Sequence, residues 1–194
     1  IKSLRPAATP PGRLRWMDPS VALRAVAIVL VVGSHIGVFT ARGGAALLLA
    51  VAGFNVARFH LTTAPRRDRV RHLGATVARI AVPSMLFIGA VTLLTELYRW
   101  ENAFLLNEAL GPRHGSVRHF WFVEALVYIL VAMLVAVAVP AFDRWERRWP
   151  FAVAAAAFAL ALIVRFDLVE LSNEDNLTTP ASWFWLFALG WLIG

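Results

Sequence analysis

The chain has 194 residues, of which 59% are hydrophobic and only 16% charged, against the ~25% charged share usual in soluble domains. With a mean hydropathy of +0.66 and several runs approaching the ~20 apolar residues that span a bilayer, it reads as an all-α polytopic transmembrane helix bundle and not as a globular domain. The net charge of +7 does not point to nucleic acid, because the basic residues fall in short bursts between apolar runs, and the absence of cysteine excludes disulfides, thiolate nucleophiles and Cys-ligated metals.

Residues 1–17 contain the Pro- and Arg-rich stretch "RPAATPPGRLRW". They read as a cytoplasmic linker from something upstream, such as a fused soluble domain, with no signal peptide. Residues 18–194 read as the transmembrane domain. The chain begins at Ile1 and stops inside the apolar "ASWFWLFALGWLIG", so we expect a piece of a longer protein. The first helix opens at "MDPS", with Asp18 as N-cap and Pro19 at the first helical position. Apolar residues then run from Val21 to Phe39. Further spans are expected at 43–63, at 74–97 with a kink at Pro83, at 119–141 and at 150–170. A sixth begins near 181, which makes about five complete spans and the start of another.

Charge sets the expected orientation. With the N-terminus in the cytoplasm, the inner segments hold twelve basic residues, among them Arg58, Arg66, Arg67, Arg69, Arg71, Arg144, Arg147 and Arg148. The outer loops hold five, Arg42, Arg99, Arg113, Arg118 and Arg165, and carry Glu101, Glu108, Glu174 and Asp175. This asymmetry is that of a multi-pass protein of the cell membrane with its N-terminus inside. Arg66, Arg67, Arg69 and Arg71 are expected to set topology and to touch anionic lipid.

The first span, "LRAVAIVLVVGSH", carries Arg24 and His35. Eleven residues at 100° each bring the two to within about 20° of one face, separated by about 16 Å along the axis. Arg24 alone would snorkel to headgroups, and His35 alone would be a hydrogen-bonded packing residue. Polar groups at both ends of one face point instead to a bundle interior or a water-filled path. Depth suggests a partner: Glu124, about 7 Å into the fourth span, lies level with His35 and would orient its imidazole. The plainer reading is a carboxylate reaching the outer headgroups. Asn55, inside the second span, reads as an interhelical hydrogen bond.

An Arg, ten residues and a His on a first span resembles the signature of the acyltransferase 3 family. "LLLAVAGFNVARF" resembles its Phe-x-x-Ser-Gly-Phe helix, with Ala52 in place of Ser. "RRDRVRHLGATVARIAVPSM" resembles its basic stretch ending in Arg-Ile-x-Pro. "HFWFVEALVYIL" is similar to its Trp-Phe helix, and "FALGWLIG" to a Phe-x-x-Gly start of another. The likeness covers residues 14–194. It implies about ten helices in all, and transfer of an acyl group, acetyl foremost, from cytoplasmic acyl-CoA to a hydroxyl-bearing acceptor: a glycan, a lipid-linked saccharide or a secreted metabolite. It implies no metal, and membrane lipid is the surrounding partner.

His35 would then act as general base on the acceptor hydroxyl, or as a nucleophile that holds the acyl group. Arg24, too far from His35 to share one carbonyl, would place the donor. Arg79, at the Arg-Ile-x-Pro position, and Arg71 would meet the donor's phosphates. For Asn55 the sharper alternative to an interhelical hydrogen bond is a contact with the acyl carbonyl. The competing expectations are a transporter or channel whose path Arg24 and His35 line, and a structural module of a larger protein.

Overall fold

The computed structural model describes residues 19–35, 37–38, 43–61, 63–95, 98–110, 120–166 and 180–194, and of Pro19, Ser20, Arg24, His35, Pro180 and Ala181 the backbone alone. The linker 1–17 and its Asp18 cap lie outside the described residues. All regular structure among the described residues is helical. In chain order come α1 (Pro19–His35), α2 (Gly44–Asn55) continued by a π-helical turn (Val56–His60), and α3 (Arg66–Thr95). Two short helices follow, α4 (Trp100–Ala103) and α5 (Asn107–Leu110). The rest are α6 (Trp121–Ala138), α7 (Pro140–Arg148), α8 (Pro150–Arg165) and α9 (Pro180–Ile193).

By length and composition α3 and α6 can each cross a bilayer, and α7 with α8, which meet at 111°, make a third crossing if taken as one broken span. The helix α1, the α2–π segment and α9 are apolar but shorter.

Local chemistry explains where the observed boundaries differ from those expected. The first helix ends at His35 and not at Phe39, because Gly37 adopts φ 74° and the Val38 N–H bonds back to the Gly33 carbonyl at 2.9 Å. That is the bond of a glycine-terminated helix. The basic burst before the third span is helical: α3 starts at Arg66, where the Pro65 carbonyl accepts the N–H groups of Asp68 and Arg69. Asp68 in that first turn suits the positive end of the helix dipole. The helix continues unbroken through Pro83, which removes the N–H that the Arg79 carbonyl would otherwise receive.

The stretch expected as an outer loop instead folds into α4 and α5. Leu105, between them, holds a left-handed φ of 55°, a conformation that side chains rarely adopt. Its burial beside Ile88, Ala103 and Val127 compensates.

The main core joins α2, α3, α6, α8 and α9 through Leu49, Leu73, Ile129, Met133, Ala154, Phe187 and Trp191. Its tightest crossing is α2 on α9. A Cβ placed on Gly53 would stand 1.9 Å from the Phe187 carbonyl oxygen, and one on Gly190 1.8 Å from that of Ala50. Backbone therefore touches backbone, as at the small-residue crossings of membrane helices. Outward, α3 presents Val82, Leu86, Phe87, Leu93 and Leu94, an apolar surface suited to lipid.

A polar-ended cleft as candidate functional site

A cleft of about 390 Å³ opens between α2, its π-helical continuation, α3 and α6. Val51, Val56, Phe59, Ile80, Phe122 and Leu130 give it apolar walls, and Asn55, His60 and Thr76 supply the polar groups. The π turn is marked by the Leu61 N–H donating to the Val56 carbonyl at 2.9 Å. Its wider ring shifts Phe59 and His60 out of α-helical register, a distortion that recurs at functional sites.

His60 Nε2 lies 3.1 Å from Thr76 Oγ1, and that hydroxyl donates to the His72 carbonyl, also at 3.1 Å. With its single proton so used, Thr76 accepts from Nε2–H. The Asn55 side-chain oxygen is buried with no hydrogen-bond partner among the described residues. An unmet buried acceptor costs about 1–3 kcal/mol, so the cleft holds an acceptor suited to a donor from outside the chain.

The residues expected from the sequence distribute as follows. Arg24 and His35 stand on one uninterrupted helix, and their side chains lie outside the described atoms. Around α1, Val31 stands between them, about 20° from position 24 and about 40° from position 35. Val31 touches α2: a Cβ on Gly44 would meet Val31 Cγ2 at 2.8 Å and the Ala27 carbonyl at 3.1 Å. The stripe holding both positions is thus the α2-facing stripe.

Asn55 lines the cleft. Arg71 and Arg79 are exposed on α3 and do not line it. Glu124 is buried on α6 and does not reach outward. Its Oε1 accepts the Glu108 N–H at 2.7 Å and the Tyr128 hydroxyl at 3.1 Å, so it ties α5 to α6.

Arg69 departs from the expected lipid contact. It is 1% exposed and donates to Asp143 at 2.7 Å and to Glu146. Arg147 joins the same group through Asp143 at 3.1 Å and bonds the Thr63 and Ala64 carbonyls. This network fastens the start of α3 and the preceding turn to one face of α7.

The family profile described as "Acyltransferase domain" matches residues 14–194. The chain belongs to the acyltransferase 3 family. No curated protein and no solved structure matches it. As a member of this acyltransferase family with apolar helices, it fits an integral membrane protein.

Two of the stretches that resemble acyltransferase 3 patterns meet in space. Gly53, the glycine of the second-helix pattern, packs on Phe187, the start of the Phe-x-x-Gly pattern, while Gly190 packs on Ala50. The small-residue spacing Gly190–Gly194 was a sequence signal for this crossing. His60 and Thr76, by contrast, carry no spacing signal, because separate helices bring them together.

Proposed function

We propose that this acyltransferase moves an acyl group, acetyl foremost, from cytoplasmic acyl-CoA to a hydroxyl of a glycan, a lipid-linked saccharide or a secreted metabolite. In this reading α1, α2, α3, α6 and α8 cross the cell membrane in turn from a cytoplasmic N-terminus, and α9 begins a sixth crossing. The observation that carries it is the α2–α3–α6 cleft. A pantetheine arm is slender, largely apolar and studded with amide N–H groups. It matches a cleft of about 390 Å³ with apolar walls and an Asn55 acceptor that has no partner among the described residues.

Arg24, Arg71 and Arg79 meet the donor's phosphates by charge-assisted hydrogen bonds. His35 takes the acceptor's proton as its oxygen bonds to the thioester carbonyl carbon. Glu124 orients that imidazole from α6. The carbon–sulfur bond then breaks, and the leaving thiolate recovers the proton from the imidazolium.

The test supplies the full chain in membranes with radiolabelled acetyl-CoA and follows label into glycan or lipid. His35→Ala is expected to lower transfer by about 10²–10⁴-fold, the usual worth of a general base, and Arg24→Ala to weaken use of the donor. Transfer at the unaltered rate in both variants, with solute movement blocked, would replace the enzyme by a transporter.

A further inference from the structure

We infer that the bend between α7 and α8 is a binding site for an anionic glycerophospholipid, its phosphodiester held between Arg144 and Arg148 and one acyl chain lying along α8. A groove of about 640 Å³ lies there, walled by Trp145, Trp149, Ala152, Val153 and Ala156 and edged by the two arginines. The helix α7 has two opposed faces. One buries Asp143 and Glu146 against Arg69. The other turns outward Arg144, Trp145 and Arg148.

Both acidic groups of α7 are therefore spent on Arg69 and Arg147, and among the described residues no carboxylate lines the groove. Neither Arg144 nor Arg148 has an ion-pair or hydrogen-bond partner among the described residues. One helical turn apart, they stand about 6 Å from each other along the axis, close enough for both to reach the oxygens of one phosphodiester.

The indoles fix the depth. Trp145 is 69% exposed and Trp149 60%, and exposed tryptophans of this kind settle at the headgroup level. The 111° angle between α7 and α8 lays α7 near the membrane plane when α8 runs across it. Along α8, Ala152 and Ala156 stand one turn apart with Val153 between them. Their small side chains leave a lane for a hydrocarbon tail. The two arginines define a phosphate site, and this apolar lane favours a lipid over a soluble phosphate compound.

The test is native mass spectrometry of the full chain released from mixed micelles of phosphatidylglycerol and phosphatidylcholine. The intact protein should retain phosphatidylglycerol selectively. Arg144→Gln with Arg148→Gln should weaken that retention about thirtyfold, from roughly 1 kcal/mol for each arginine near a charged lipid. Ala152→Phe should expel the lipid by filling the lane while both charges remain. Arg58→Gln with Arg99→Gln, both exposed and outside the groove, removes the same charge and should leave retention unchanged. Equal loss in that control would reduce the site to general basic attraction. Displacement of the lipid by soluble 3′,5′-ADP would give the groove to a nucleotide, and retention by the Arg144/Arg148 variant would remove the site altogether.

Discussion

Alanine at Gly53 or Gly190 tests the α2–α9 crossing on which the core is built. The new methyl would fall 1.9 Å from the Phe187 carbonyl oxygen in the first case and 1.8 Å from that of Ala50 in the second. Non-bonded heavy atoms rest at about 3.5 Å, so the helices must part by more than about 1 Å, and a gap of that size forfeits a quarter to a half of each dispersion contact it opens. The obstacle is main chain on both sides, so no rotamer relieves it. Overpacking of this kind costs about 1–3 kcal/mol, against ~1 kcal/mol that alanine recovers in helix propensity. Taking the upper end, we expect a net loss of about 2 kcal/mol, or roughly 4–8 °C in Tm for a chain of this size.

The pair should be less than additive. Either methyl alone already separates the same two helices, so the double variant should melt close to the worse single variant, well short of the ~4 kcal/mol that independent sites would give. The controls are Gly74→Ala and Gly89→Ala, whose new methyls find nothing nearer than 4.0 Å. They should gain up to ~1 kcal/mol from propensity alone. The assay is thermal melting in detergent followed by tryptophan fluorescence, with Trp191 at the crossing as a local reporter. If Gly53→Ala and Gly190→Ala melt at or above the unaltered protein, as Gly74→Ala should, the close approach of α2 and α9 is wrong.

Two further outcomes follow from the buried polar groups. Arg69→Met strands Glu146 and leaves Asp143 with Arg147 alone, and it should cost about 3–5 kcal/mol in the same melting assay, whereas Arg69→Met with Asp143→Leu and Glu146→Leu should recover most of that loss. Asn55→Leu should raise Tm by relieving an unmet acceptor worth about 1–3 kcal/mol, yet raise KM for the acyl donor. A lower Tm with unchanged KM would make Asn55 a packing residue.

Much of the fold was legible because a bilayer imposes a simple rule: apolar runs must become helices. The runs and the start of the second span at Gly43 could be read in one dimension, and so could the face shared by positions 24 and 35, whereas the end of the first helix at Gly37 could not. The family could be read as well, since its patterns recur in order along the chain. The helical extension of α3 into its arginines was not legible, because a basic burst suits a loop as well as a helix start. Nor were α4 and α5, whose Leu105 takes a backbone conformation that only its burial makes tolerable.

The sequence by itself determined that the chain is helical and apolar, and it determined the family, because periodicity, hydropathy and motif order are properties of neighbours along the chain. Only the tertiary structure decided which charges are spent and which are free. Arg69 and Arg148 look alike in the sequence, but one is sealed against two carboxylates and the other edges an open groove. It also decided that Asn55, His60 and Thr76 share a cleft. The physical reason is the same in each case: the environment of a polar side chain is set by helices that meet across the bundle from distant parts of the chain.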